Sequence, residues 1–218
     1  MSNTSKGRGE KGSKFWMQTL VNLDGGKTLE KAVQKEDSSI GEIRWLSPLK
    51  ADNYAELKTE GITGINKSIL LFWPDNGPWW DGVGIDDKGC ILLFEAKAHI
   101  TETKSHCTAT DPNSVLKIKN SMRDAHQSLT AGMPNSAYYD EHVWFKEYYQ
   151  LGNRLTFLAK LREQHVNVKL VLLNIVEDPT HISTPEKEWK DHYKEVFKKM
   201  LGQDSAPTDA TCLYFNVG

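Results

Sequence analysis

Cysteine is scarce in this sequence, and long apolar runs are missing. The three cysteines, Cys90, Cys107 and Cys212, are widely spaced and form no CxxC pair. Such spacing argues against a disulfide framework and favours a reducing, cytoplasmic location. The longest apolar stretches, residues 69–73 and 169–176, are far shorter than the ~20 residues needed to span a bilayer. No hydrophobic signal segment follows Met1 either, so the sequence predicts a protein without a membrane partner.

An excess of either charge is also absent. The 27 Lys and Arg side chains nearly balance 29 Asp and Glu, which gives a net charge of −2 and a pI near 6.4. Bulk charge therefore cannot hold the protein on nucleic acid, and any such contact must come from a local patch. The GxSxG nucleophile elbow is missing, and Val21 stands where a P-loop ending at Thr28 would need glycine. These absences argue against a serine hydrolase and against an NTP-binding loop.

The apolar content is nevertheless enough for a sizeable core, with 39% hydrophobic residues and seven Trp in 218 residues. Residues 1–13 have no apolar side chain after Met1, which predicts a disordered tail before a single domain over residues 14–218. Alternating helical and strand patterns predict an α/β fold, with three layers in which helices flank a mixed β-sheet. The predicted helices cover residues 50–60, 113–129, 142–164 and 185–201, with one or two helical turns at 29–35, and the predicted strands cover residues 68–73, 79–86, 90–97, 168–176 and 212–217.

The most informative segment is the hairpin predicted over residues 79–97. Glu95 and Lys97 stand two residues apart at the end of an apolar strand and therefore share one face of the sheet. A three-residue turn ending at Gly89, where the backbone needs a positive φ, would place Asp81 directly opposite Glu95. A two-residue turn would move the two carboxylates to opposite faces. The three-residue turn is favoured because it also gathers the aliphatic side chains of both strands on one face.

Opposed carboxylates whose Cβ atoms are about 5 Å apart repel each other unless a cation neutralises them. A divalent cation between Asp81 and Glu95 would do so, and Lys97 on the same face would help. The pattern Asp81…Glu95-x-Lys97 closely resembles the PD-(D/E)xK nuclease superfamily. This resemblance implies a restriction-endonuclease-like core with the element order α-β-β-β-α-β. It also implies Mg²⁺, with Mn²⁺ as a substitute, bound by Asp81 and Glu95, and a catalytic Lys97 that positions or activates water.

Several members of this superfamily add a glutamate from the first core helix. Glu56 is the best match in this sequence, with Glu60 and Glu42 as rivals. A literal Pro-Asp pair ends at Asp75, but Pro-Asp-Asn-Gly is typical of a turn. Asp75 is therefore ranked below Asp81 as the metal-binding aspartate.

A second resemblance spans more of the chain, about residues 42–217. It consists of FWP…GPWWD, then EAKAH, then YYQLGNRL at residues 148–155. This combination looks like a bacterial family of uncharacterised proteins that carry EAKA and YYQ-x-x-NRL segments and are predicted to hold the same nuclease core. The likeness implies the fold and leaves the substrate open.

Four further residues are candidates for binding the substrate. Gln150 and Arg154 stand four residues apart and share a helix face, from which Arg154 could bind a phosphate. Lys117 and Lys119 follow the strand that carries Lys97. Together these features predict Mg²⁺-dependent hydrolysis of phosphodiester bonds in nucleic acid, with DNA as the preferred substrate, in restriction, defence or repair. The alternative is an inactive nuclease-fold module that binds nucleic acid or a protein partner, and dimerisation is common enough in the superfamily to make a homodimer an open expectation.

Overall fold

The computed structural model describes residues 7–75, 77–133 and 136–218. Within these residues the helices are α1 (Gly12–Asn22), α2 (Lys27–Glu36), α3 (Pro112–Thr130), α4 (Tyr149–Glu163) and α5 (Glu186–Leu201). The strands are β1 (Ile43–Ser47), β2 (Leu57–Lys58), β3 (Trp79–Trp80), β4 (Gly82–Asp86), β5 (Ile91–Lys97), β6 (Val168–Val176) and β7 (Ala210–Asn216). A π-helical turn, Val143–Glu147, leads into α4.

The main sheet is mixed and has five strands in the order β1-β4-β5-β6-β7. Strand β1 pairs antiparallel with β4, and β4 pairs antiparallel with β5, whereas β6 pairs in parallel with β5 and β7 in parallel with β6. The short strands β2 and β3 form a separate antiparallel ribbon. Strand β5 is therefore the central strand, at which antiparallel pairing on one side changes to parallel pairing on the other.

Helices cover both faces of this sheet, so the expected α/β class with a flanked mixed sheet is confirmed. On one face, α1 and α2 contribute Met17 and Leu29 to a core that also contains Phe94 of β5. On the other face, α3, α4 and α5 pack against alternate residues of β5 and β6, such as Leu93 and Leu172. Strand β6 is buried on both faces along almost its whole length, as predicted from its nearly continuous apolar sequence. None of the helices in the described parts of the chain is long and apolar enough to cross a membrane.

The predicted register of the central hairpin is confirmed. Val83 pairs with Leu93 and Ile85 with Ile91, while the Asp86 N–H donates to the Cys90 carbonyl at 3.0 Å. Gly89 has a φ of +78°, the left-handed conformation that its place in a three-residue turn requires. The Asp86 carboxylate fixes this turn by accepting the backbone N–H of Lys88 at 3.0 Å and of Cys90 at 2.7 Å.

Two predicted elements before the hairpin are wrong. In place of the helix expected over residues 50–60, the structure has a 3₁₀ turn, Lys50–Asp52, then strand β2 and a second 3₁₀ turn, Thr59–Gly61. The first turn ends because Asn53 and Tyr54 adopt positive φ values of 52° and 55°. The strand expected over residues 68–73 is a 3₁₀ turn, Lys67–Leu70, followed by a turn. A run of six residues, five of them apolar, is too short for periodicity to separate a strand from a helical turn.

The sheet instead takes its first strand from β1, and helix α1 precedes it, in a region expected to be largely irregular. Residues 1–6 of the predicted tail lie outside the described residues. Secondary structure begins at Gly12, two residues before the predicted domain boundary. Before it, the Gly7 N–H donates to the Asn53 carbonyl at 2.8 Å and the Gly9 N–H to the Gln18 side chain at 2.7 Å. The predicted elements after the hairpin fall close to α3, α4, β6, α5 and β7.

Candidate active site

Asp81 lies at the break between β3 and β4, beside the end of β5. The strand predicted over residues 79–86 is interrupted there because Trp79 and Trp80 pair with strand β2 and not with β1. The Oδ2 atom of Asp81 accepts the backbone N–H of Ala96 at 2.8 Å. This bond holds the partly buried carboxyl group next to Glu95, the arrangement expected from the hairpin register.

Glu95 is the centre of a cluster of charged side chains and is only 4% exposed. Its Oε1 accepts from the Lys97 ammonium at 2.5 Å, and its Oε2 accepts from the Arg154 Nε at 2.5 Å. The Lys97 ammonium also donates to the Gln150 Oε1 at 3.1 Å. Of the candidates predicted from the sequence, these four side chains are therefore bonded together, with two from β5 and two from α4.

Arg154 is fixed in place on several sides. Its Nη2 donates to the Trp79 carbonyl at 2.9 Å, and its Nη1 donates to the Asn153 Oδ1 at 2.8 Å. The guanidinium carbon lies 4.7 Å from the centre of the Trp80 ring, within the range of a cation–π contact. The Trp80 indole N–H in turn donates to the Thr59 hydroxyl at 2.9 Å. These contacts restrain the orientation of the guanidinium before any ligand arrives.

Burial and neighbouring charges set the protonation of the cluster. Burial, followed by the negative charge of Glu95, raises the pKa of Asp81 to about 7, although Lys97 opposes this shift. Burial would also raise the pKa of Glu95, but the positive charges of Arg154 and Lys97 outweigh it and hold that pKa below its ordinary value. Burial disfavours the charged form of Lys97, yet Glu95 and Asp81 raise its pKa above the usual range. Glu95 is thus ionised and Lys97 is an ammonium ion.

The donor chemistry at this site is compatible with Mg²⁺. Within residues 7–75, 77–133 and 136–218, no group of three or more His, Cys, Asp or Glu side chains is arranged to hold a metal ion. Mg²⁺, however, commonly keeps several waters and is held by only one or two carboxylates, which Asp81 and Glu95 can supply. Both oxygens of Glu95 accept hydrogen bonds from cations, so coordination by Glu95 would have to replace one of these bonds.

Glu56 does not lie on a helix, contrary to the prediction. It precedes β2 in an irregular segment and is half-buried. Burial raises its pKa, and the negative charge of Glu95 contributes in the same direction. Glu56 is therefore within electrostatic reach of the cluster. Of its two rivals, Glu42 is exposed and pairs with Lys27 at 2.6 Å, and Glu60 is exposed near the ribbon.

Lys117 and Lys119 are not brought to the cluster by any bond among the described residues. Lys117 is exposed on α3. The Lys119 ammonium forms an ion pair with Glu141 at 2.6 Å and lies 5.1 Å from the centre of the Phe145 ring. Asp75 is exposed in its turn. Asp81 is therefore the aspartate that accompanies Glu95 and Lys97.

Two neighbours of the cluster escaped the sequence analysis. Trp80 supports Arg154, and Asn174 pairs with Lys97 in the register of β5 and β6. The Asn174 amide nitrogen donates to the Leu172 carbonyl at 2.9 Å, but its Oδ1 is buried and has no partner. A buried acceptor without a partner costs about 1–3 kcal/mol. The sequence signal for Asn174 was its position as a polar residue within the apolar run of residues 170–176.

The arrangement can bind and stabilise an anion between fixed cations and can offer carboxylate oxygens to a divalent ion. These capacities derive from Asp81, Glu95, Lys97 and Arg154. They come from the break between β3 and β4, the end of β5 and the first turns of α4, so the site depends on the tertiary fold. Comparisons of the chain with protein-family models, with curated proteins and with solved structures gave no match.

Proposed function

We propose that the protein is a Mg²⁺-dependent nuclease that hydrolyses phosphodiester bonds, with DNA as the preferred substrate. The observation that carries this proposal is the position of Asp81 beside Glu95, with Lys97 on the same strand end. The element order supports it: helices come first, then three antiparallel strands, then helices and a parallel strand. This is the order implied by the resemblance to the PD-(D/E)xK superfamily.

In this proposal each residue of the cluster has its own role in phosphodiester hydrolysis. Mg²⁺ held by Asp81 and Glu95 would acidify a water molecule and neutralise charge on the phosphate. The Lys97 ammonium, oriented by Glu95 and Gln150, stabilises negative charge that develops on the phosphate oxygens. Arg154 presents a planar guanidinium, which suits a phosphate group. Its contacts with Trp79 and Trp80 keep it directed at the site.

The test is cleavage of labelled single-stranded, duplex and branched DNA and of RNA in Mg²⁺, in Mn²⁺ and with a chelator. We expect metal-dependent cutting by the wild type and a loss of about 100-fold or more in Glu95→Gln and Lys97→Met, typical of removing a charge-stabilising group. Glu186→Gln, which breaks an exposed ion pair with Lys190 on α5, is the matched control and should cut like the wild type.

Circular dichroism and urea unfolding must show that both site variants are folded, since each one breaks a buried ion pair. Glu95→Asp keeps the charge and serves as a second variant at this position. Equal cutting by the wild type and a folded Glu95→Gln protein would rule out this site as the nuclease centre.

The second candidate function is that of an inactive module that binds nucleic acid. It is favoured by one observation, that both carboxylate oxygens of Glu95 already bond to cations at 2.5 Å. In that case calorimetry should give the same Mg²⁺ result for the wild type and Asp81→Asn, because neither binds the ion at this site. The wild type should bind nucleic acid without cutting it. Glu95→Gln should then bind with equal or higher affinity because it removes a negative charge.

A further inference from the structure

Asn174 carries a buried acceptor next to the charged cluster, and this acceptor has no partner among the described residues. The side chain is 0% exposed, and its amide nitrogen donates to the Leu172 carbonyl at 2.9 Å. The Oδ1 atom on the other side of the amide receives no hydrogen bond. Asn174 pairs with Lys97 in the parallel register of β5 and β6, so both side chains lie on the same face of the sheet. The unused acceptor therefore lies on the strand beside the lysine of the cluster.

The Lys97 side chain is long enough to reach this acceptor and has room to move. Neighbouring strands are about 4.7–4.9 Å apart, and a lysine has four methylene groups with which to cross that gap. A cavity of about 10 Å³ is lined by Lys97, Gln150 and Leu172, which is about the space that one water molecule needs. The ammonium has three donor hydrogens, and the bonds to Glu95 and Gln150 use two of them.

Glu95 can coordinate a divalent ion only if it gives up one of its two cations, and Lys97 is the cation that can leave. Arg154 is fixed by three further contacts, with a backbone carbonyl at 2.9 Å, an amide oxygen at 2.8 Å and an indole ring at 4.7 Å. Lys97 has one hydrogen-bond partner besides Glu95 within the described parts of the chain, the Gln150 Oε1 at 3.1 Å. An ammonium on a flexible stem also moves more easily than a planar guanidinium held on several sides.

We propose that Asn174 is a positioning residue for Lys97, whose ammonium donates to the Asn174 Oδ1 when Glu95 turns an oxygen to a divalent ion. The inference rests on the proposed Mg²⁺-dependent function and adds a residue to that site. The exchange gives the unpartnered Oδ1 a donor and keeps the buried ammonium hydrogen-bonded, which matters because a buried charge without partners is costly. Without Asn174, the release of Lys97 from Glu95 would leave the ammonium with Gln150 as its remaining acceptor.

The experiment measures Mg²⁺ binding by isothermal titration calorimetry in the full-length protein without nucleic acid. Asn174→Leu and Asn174→Ala both remove the acceptor, and urea unfolding measures their stability without the ion. Asn174→Asp keeps an oxygen at the same position and tests whether the acceptor itself is responsible. Ser47→Ala is the matched control, because Ser47 is 1% exposed and has an unpartnered hydroxyl but lies on β1, at the far edge of the sheet from β6 and β7.

We expect at least one acceptor-free variant to unfold at the wild-type urea concentration or above, because the lost Oδ1 has no partner in the ion-free protein. That variant should bind Mg²⁺ about tenfold or more weakly, as is typical when a residue supporting a metal site is lost. Asn174→Asp should bind Mg²⁺ at least as tightly as the wild type, and Ser47→Ala equally tightly.

Three results would overturn the role of Asn174 and leave the proposed nuclease standing. They are wild-type Mg²⁺ affinity in a folded acceptor-free variant, an equal loss of affinity in Asn174→Asp or Ser47→Ala, and marked destabilisation of both acceptor-free variants, which would show that Asn174 supports the fold instead. A wild type whose Mg²⁺ binding is absent, or is unchanged by Asp81→Asn, would overturn both proposals.

Discussion

At the scale of single residues, Glu95 depends on its two cationic partners. Breaking a buried ion pair by removing one partner leaves an uncompensated charge, which typically costs about 3–5 kcal/mol. We therefore expect Arg154→Met to lower the free energy of unfolding by about that amount, because Arg154 and Glu95 are both buried. Urea denaturation monitored by tryptophan fluorescence measures it.

Lys187→Met is the control for this prediction. Lys187 forms an ion pair with Asp191 on the surface of α5, at 2.6 Å and with both side chains exposed. Exposed pairs contribute little to stability, so this variant should unfold at the wild-type urea concentration. An equally small effect of Arg154→Met would contradict the view that a charged Glu95 is held by this bond.

Some of these residues could be found from the sequence and others could not. Glu95 and Lys97 could be predicted as neighbours because strand residues two apart share a face. Asp81 could be predicted because Gly89 fixed the turn and hence the register. Glu56 was placed on the wrong element, and Asn174 reaches Lys97 only through the pairing of β5 with β6. Such a neighbour relation joins residues far apart in sequence, and no local pattern encodes it.

At the scale of elements, the start of α2 depends on a close approach to β1. Gly25 and Gly26 have φ values of +68° and +80°, and a Cβ on Gly26 would lie 2.0 Å from the Trp45 indole nitrogen. Nothing lies within 4 Å of the corresponding position on Gly25. We expect Gly25→Ala to cost only the left-handed conformation, about 1–2 kcal/mol. Gly26→Ala should cost that amount and a further ~1–3 kcal/mol for overpacking.

Chemical denaturation measures the free energy of unfolding of both variants. The difference between the two losses of free energy gives the cost of the overlap between the added Cβ of Gly26→Ala and Trp45. Equal costs would mean that the indole moves aside freely. That outcome would contradict a tight junction between α2 and β1, which are joined a second time where the Glu30 carboxylate accepts the Ile43 N–H at 2.6 Å.

The elements that were predictable have strong local signals. Strand β6 has an almost unbroken apolar sequence, and α3 has apolar residues at helical spacing with Asp111 capping its first turn. Helix α1 lacks such signals, since Lys11 at its start makes no side-chain cap and its first turn has no acidic residue. Strand β1 has only five residues before Pro48. Tertiary packing determines such elements more than local propensity does.

At the scale of the whole molecule, stability should depend on pH through His126. Its ring is only 5% exposed, lies against Tyr139 and Trp144, and has no partner at Nε2. Burial disfavours the charged imidazole and lowers the pKa of His126 below its ordinary value of 6.5. Between these two pKa values the unfolded chain binds more protons than the folded protein, so stability rises with pH there. His126 therefore reduces stability as the pH falls below 6.5.

The measurement compares urea unfolding at pH 7.5 and pH 5.5 in the wild type and in His126→Phe. The raised pKa of Asp81, about 7, acts in the opposite direction over this range, so the comparison between proteins isolates the histidine. We expect His126→Phe to lose less stability on acidification than the wild type. The exposed His106→Phe variant should retain the wild-type pH dependence, and an unchanged dependence in His126→Phe would refute the prediction.

The charged cluster in the middle of the molecule has a consequence for how the protein would change under selection. Replacing a buried group of ions by well-packed apolar side chains is often neutral or stabilises a protein by about 1–4 kcal/mol. Selecting variants for heat resistance alone should therefore remove Glu95, Lys97 and Arg154 together, while the surrounding apolar residues stay. A lineage selected for folding alone would keep the sheet and lose these three charged residues. If natural variants retain all three residues, selection for a property other than folding maintains them.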